Sequence, residues 1–276
     1  MSQLKIAYMV ATPDLKISER VTALQTELDE AFRRLKDAGY DGVEFMIGNP
    51  ANVDNSLIER LAREYSLEVP AYCTGEVFGQ GGVSFMDPDK SVRSEALEQT
   101  MRIIDYAAAF GAMVNVGRLR GRFYPDVPRE QSLAWMYAAF ERIADYAEPK
   151  GVVIILEPVA FPFCNVINST RDGIEAVKRV GKSSFKLMLD VFSMHIEDPS
   201  MAGAFAAAAP YLKHIHLCDA NRQAPGMGIF NFSRIVAAIK ETGYEGYVSA
   251  EIYQTPDQDH AFEQTTKVLM PLVKSL

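Results

Sequence analysis

Glu245-Gly-Tyr-Val-Ser-Ala-Glu251-Ile-Tyr-Gln254 is an apolar, strand-forming run that delivers one carboxylate near its C-terminal end. A strand of this composition suits a parallel sheet buried on both faces. A charge at its end is costly unless it is paired or coordinates a metal. Three earlier runs end the same way. Val152-Val-Ile-Ile-Leu156 delivers Glu157, Phe185-Lys-Leu-Met-Leu189 delivers Asp190, and Leu212-Lys-His-Ile-His216 delivers His216. The four polar groups recur at roughly the 30-residue length of a βα unit. They therefore fall at the same end of successive strands, and the pattern points to one site holding one metal ion.

The rest of the chain repeats the alternation. Strands are expected at Leu4–Val10, Gly42–Ile47, Leu67–Cys73 and Ala112–Gly117, ahead of Val152–Glu157, Phe185–Asp190, Leu212–Cys218 and Tyr247–Tyr253. Helices are expected over Glu19–Ala38, stopping at Gly39, and over Ser56–Tyr65, with Ser56 as N-cap and Glu59 completing a capping box. Further helices are expected at Ser91–Phe110, Glu130–Ala147, from Thr170, at Pro199–Ala209, Phe232–Thr242 and Asp257–Ser275, the last kinked or divided by Pro271. Thr74–Asp89 has no periodicity and reads as a long functional loop. Eight strand-then-helix units predict the α/β class and a (β/α)8 TIM barrel, one domain over residues 1–276. An open doubly wound sheet would call for a GxGxxG turn after an early strand, and none follows the first.

Composition agrees. The 276 residues are close to the roughly 250 of a single barrel. Hydrophobic content of 48% and charged content of 23% are those of a soluble globular protein. A net charge of −8 disfavours nucleic acid and anionic membrane surfaces as partners. No run approaches the roughly 18 apolar residues of a membrane span. The apolar stretch after Met1-Ser2-Gln3-Leu4-Lys5 is too short for a signal peptide. The expected location is the cytoplasm. Cys73, Cys164 and Cys218 lie far apart and read as reduced thiols.

Three carboxylates and an imidazole suit Mn²⁺, Mg²⁺ or Co²⁺, with Zn²⁺ also possible. Around them stand Ile155-Leu-Glu157-Pro158, Leu189-Asp190-Val-Phe-Ser-Met194, His214-Ile-His216-Leu-Cys-Asp-Ala-Asn-Arg222-Gln-Ala-Pro-Gly226, Val248-Ser-Ala-Glu251 and Gly39-Tyr-Asp-Gly-Val-Glu44. Together these resemble the xylose-isomerase-like barrels of sugar isomerases and epimerases, and in motif the D-tagatose/D-psicose 3-epimerases. The resemblance implies that Glu157, Asp190, His216 and Glu251 bind one divalent metal ion, Mn²⁺ first among the candidates. It implies that Glu157 and Glu251 form the acid/base pair, and that Arg222 binds substrate beside the metal. Glu44 is placed with it among the substrate contacts. The implied activity is ketose 3-epimerisation: proton abstraction beside a carbonyl, through an enediolate stabilised by the metal. The implied partner is a small carbohydrate, and the implied assembly a homodimer or homotetramer. His214 shares a strand face with His216 and reads as buried without ligation.

Three features depart from the family pattern. Relatives carry a His three residues after the metal-binding Asp; here Ser193 stands there, and His195 is taken as the substrate contact instead. Phe161 and Phe163 follow the strand-five Glu-Pro, where relatives are more polar. Read as substrate contacts, they form an apolar wall suited to a sugar bearing an aglycone. That favours the alternative activity, a metal-dependent lyase cleaving 3-keto-glycosides. Arg118, Arg120 and Arg122 lie at the active-site end of strand four. They read either as an anion clamp or as a loop tied to acidic neighbours or to another subunit. A phosphodiester-cleaving relative would need a basic face and more than four histidines. A non-catalytic sugar binder would not need two opposed carboxylates.

Overall fold

Successive side chains of a strand point to opposite faces of a sheet, so a buried parallel strand must satisfy two environments at once. Along the first strand, Tyr8 and Val10 pack into the large core beneath the helices, while Met9 and Ala11 join a separate small cluster with Met46 and Cys73. Ala71, Ile155 and Met188 form another such cluster. The same parity puts His214 and His216 on one face of their strand, and Ile215 and Leu217 in the helix-covered core.

In the computed structural model, which describes residues 4–274, this alternation closes a barrel. Strands β1 (Lys5–Ala11), β2 (Gly42–Met46), β3 (Ala71–Cys73), β4 (Met113–Val116), β5 (Ile154–Leu156), β6 (Phe185–Asp190), β7 (Leu212–Leu217) and β8 (Tyr247–Ala250) run parallel in chain order. β8 pairs back onto β1, with Lys5 opposite Tyr247. The helices are α1 (Leu28–Asp37), α2 (Asn55–Tyr65), α3 (Gly75–Gly79), α4 (Lys90–Ala108), α5 (Arg129–Ala147), α6 (Thr170–Val180), α7 (Val191–Glu197), α8 (Met201–Ala208), α9 (Phe232–Glu241) and α10 (Gln258–Lys274). Among the described residues no helix is long and apolar enough to cross a membrane. Met1, Ser2, Gln3 and Ser275, the expected end of the last helix, lie outside the described residues.

Four local expectations are corrected. The first helix begins at Leu28, not Glu19. Before it, Leu24 alone bridges to β1: Ala11 N–H donates to Leu24 O and Leu24 N–H to Met9 O, each at 2.9 Å. Val21 and Leu24 are buried, so their spacing mimics a helical stripe although the backbone there is not helical. The cap of α2 is Asp54, whose Oδ1 accepts from Ser56 N (3.0 Å) and Leu57 N (3.1 Å). Glu59 turns forward to Arg63, 3.7 Å away, instead of closing a capping box. The segment after β3 opens with the short helix α3, and α10 continues through Pro271 undivided.

Loss of a capping carboxylate typically costs about 1 kcal/mol. Asp54→Ala is therefore expected to lower unfolding free energy by about that amount in urea titrations, while Ser56→Ala leaves it unchanged. The reverse order would return the cap to Ser56.

Candidate active site

Glu157 follows β5, Asp190 ends β6, His216 lies in β7 and Glu251 follows β8. All four are buried; the most exposed, Glu157 and Glu251, show only 7% of their surface. Ligand atoms of Glu157, His216 and Glu251 lie within 4.8 Å of one another. Asp190 joins them through Arg222, whose guanidinium donates to Asp190 Oδ2 at 3.1 Å and to Glu251 Oε2. Arg222 has φ +58, a left-handed conformation that a non-glycine residue adopts only where its surroundings impose it. They do: buried Asp219 accepts from the amides of Ala220, Gly226 and Phe230, and Tyr253 N–H donates to Arg222 O.

The two glutamates are held differently. Glu251 Oε1 accepts from Thr22 Oγ1 at 2.8 Å, while Oε2 faces Arg222. Burial raises its pKa, but Arg222 and His216 outweigh burial and bring it to about 2. Glu157 has one amide donor, Asn115 Nδ2, at 3.0 Å. Burial, and then the charge of Glu251, push Glu157 up to about 7. Burial also raises Asp190, against the pull of Arg222. Their different partners thus push the pKa values of the two glutamates apart. Gly117 gives Glu157 its room: a Cβ there would stand 2.5 Å from Glu157 Oε2.

Glu44 does not contact the cleft. It is fully buried, with Oε2 2.8 Å from His214 Nε2 and Oε1 2.9 Å from His216 Nε2. Its oxygens face the histidine pair and it is absent from the lining of the cleft, so the structure does not place it among substrate contacts. Burial alone would raise its carboxyl; the two imidazoles more than reverse this and hold it below the ordinary range.

A solvent-open cleft at the strand ends is lined by Thr22, Arg118, Glu157, Phe163, Arg222 and Glu251 among others. Phe163 thus reaches the cleft, whereas Phe161, 66% exposed, is not part of its lining. His195 also lies outside it, exposed on α7 with its ring 5.0 Å from that of Phe230. Ser193 is the residue on the inner face, its Oγ accepting from Ala160 N. Two residues along a helix is about 200° of rotation, so a histidine at 195 cannot take the direction of one at 193. The arginine trio does not converge. Arg118 pairs with Glu76 Oε1 at 2.7 Å, Arg122 lies over the Tyr124 ring, and Arg120 is wholly buried. Arg120 donates to the carbonyls of Gly117, Glu157, Val166 and Ile167.

Asn115, Thr22 and Asp219 escaped the sequence reading. Asn115 carried a signal, as the polar residue inside Met113-Val-Asn-Val116. Cys73 borders the cleft, but burial and the nearby Glu251 and Glu157 raise its pKa well above the ordinary thiol value, leaving a poor nucleophile.

Carboxylate oxygens with one imidazole nitrogen are a donor set suited to a hard or borderline divalent cation. Buried His216 Nδ1 fits that purpose. It has no hydrogen-bond partner among the described residues and lies 3.3 Å from Glu251 Oε2. The raised Glu157 also has a thermodynamic consequence. A carboxyl moved from 4.5 to about 7 on folding contributes stability that is whole below the lower value and lost as pH rises through the upper. Chelator-treated protein should therefore melt at lower temperature at pH 8 than at pH 5. Glu157→Gln should flatten that slope in thermal scans, and parallel slopes would contradict the assignment.

Among characterised proteins, the L-ribulose 3-epimerase of Methylomonas sp. (strain DH-1) is 28% identical over 228 residues, covering 83% of this chain and 79% of that protein. The L-ribulose 3-epimerase of Mesorhizobium japonicum is 25% identical over 249 residues, 90% and 82% of the two chains. The crystal structure of D-allulose 3-epimerase from Methylomonas sp. superposes with a TM-score of 0.78 at 23% identity, covering 98% of this chain and 97% of that one, a likeness of fold. The family model of the xylose isomerase-like TIM barrel matches residues 32–272, and the chain belongs to that family.

Proposed function

We propose that this protein is a divalent-metal-dependent ketose 3-epimerase. The observation that carries the reading is the pair Glu157 and Glu251. They reach one cleft from strands three places apart on the rim and are held by different partners, Glu251 by Thr22 and Arg222 and Glu157 by Asn115. The names of the two relatives above support an epimerase over the elimination alternative.

Inverting a carbon beside a carbonyl needs a base on one face and an acid on the other. Glu251, ionised beside Arg222 and Thr22, takes the proton from C3. Glu157, when it carries a proton, returns one to the opposite face. One C–H bond breaks and another forms, and the net proton moves from Glu157 to Glu251. For the other epimer the roles exchange. Arg222 holds a substrate oxygen by charge-assisted hydrogen bonds, and Phe163 covers a less polar part of the sugar. A cation held by Glu157, Asp190, His216 and Glu251, Mn²⁺ first and Mg²⁺, Co²⁺ or Zn²⁺ after it, supplies Lewis-acid polarisation of the carbonyl.

Incubation with L-ribulose or D-psicose in D₂O with Mn²⁺ should place deuterium at C3 and produce the C3 epimer, both read by NMR. Absence of label from every ketose tried, with each of the four metals, would refute the activity. Chelation should abolish turnover and Mn²⁺ restore it. Glu157→Gln and Glu251→Gln should fold normally and lose roughly 10²–10⁴-fold in kcat. Full turnover by either would remove that residue from the scheme.

A further inference from the structure

Glu44 is a buried carboxylate that the acid/base scheme leaves without a task. It sits on β2, which does not neighbour β7, yet it meets two imidazoles of β7 across the barrel interior. Its oxygens are divided between them, Oε2 to His214 and Oε1 to His216, so the carboxylate cannot turn without losing a partner. The rings stand nearly perpendicular, at 84°, with centroids 5.2 Å apart. An ionised carboxylate only accepts, so both Nε2 atoms must carry hydrogen. In a neutral imidazole, the nitrogen that keeps the proton is set by the hydrogen bond it makes. With Nε2–H committed to Glu44, the lone pair of His216 is left at Nδ1. That atom has no hydrogen-bond partner among the described residues and lies 3.3 Å from Glu251 Oε2.

We propose that Glu44 is a positioning residue that locks His216 in the Nε2–H tautomer and so presents Nδ1 to the cation. The inference rests on the reading of His216 as a metal ligand. Carboxylates behind ligating histidines fix tautomer and ring orientation, and their loss typically weakens metal binding roughly 10–100-fold. His214 shares the carboxylate and braces its second oxygen, which gives the buried neighbour of the ligand a purpose without ligation.

Glu44→Gln keeps the shape but replaces one acceptor with a donor, so only one of the two imidazoles can still donate to it, and to a neutral group. Calorimetric titration with Mn²⁺ should show roughly a 10–100-fold weaker Kd, with cooperative melting retained. In metal-free protein, ¹H–¹⁵N imidazole correlations of neutral His216 should find the proton on Nε2 in the wild type and partly on Nδ1 in Glu44→Gln. A purely structural role would not move that signature. His216→Gln separates the two layers of the argument. If it binds Mn²⁺ as tightly as wild type, the ligand reading fails and the proposal with it. If it loses binding while Glu44→Gln keeps wild-type affinity and the Nε2–H tautomer, the role of Glu44 alone is overturned. Should Glu44→Gln not fold, the metal-free wild type decides: Nδ1–H at neutral His216 refutes the proposal, and Nε2–H supports it.

Discussion

Three carboxylates crowd one buried rim, and the rest of the architecture answers that crowding. Two like charges about 4 Å apart cost about 4 kcal/mol at an effective dielectric of ~20, and Glu157, Asp190 and Glu251 are all nearly inaccessible to water. Arg222 neutralises part of the excess by bridging Asp190 and Glu251. Protonation of Glu157 relieves more. The loop after β7 is fastened by Asp219 and bent through left-handed Arg222, and it exists in this form to deliver that guanidinium. A divalent cation would relieve the same repulsion more completely than these internal partners do.

The barrel makes such crowding possible because its strands are parallel and in register. Each strand end lies beside the next, and the two-residue period sends alternate groups inward. The interior is layered accordingly. Ala71, Ile155 and Met188 form a dry cluster, and Glu44 with the histidine pair forms a polar unit within the barrel. Buried polar groups in such a unit are tolerable because nearly all are satisfied. The atoms left over, the Nδ1 of His214 and of His216, belong to the two rings that Glu44 orients.

The barrel and the phase of the strand-end groups were legible because buried parallel strands are apolar along their length and change character abruptly at the end. Glu157, Asp190, His216 and Glu251 each stood at such a break. Less was legible where two structures share one spacing: Val21, Leu24 and Leu28 fit a helix, yet Val21 follows a turn from Ser18 and Leu24 is bridged to β1. His195 misled because linear proximity to Ser193 conceals about 200° of helical rotation. Glu44 stood in a recognisable motif, but its partners lie some 170 positions away on a non-adjacent strand, and no local pattern encodes that. Arg120 looked like its neighbours Arg118 and Arg122; only tertiary placement distinguishes a buried tie from surface charge.

Buried Arg120 unites the turn after β4 with the segment after β5, since its guanidinium spans Gly117 O on one side and Glu157, Val166 and Ile167 carbonyls on the other. Ile167, a β-branched residue at φ +55, is held in a conformation it would otherwise avoid. These two stretches of chain form a single heritable module. A barrel engineer who transplants one of them from a cousin with another sugar preference must carry the other along, or strand several carbonyl dipoles in a dry interior.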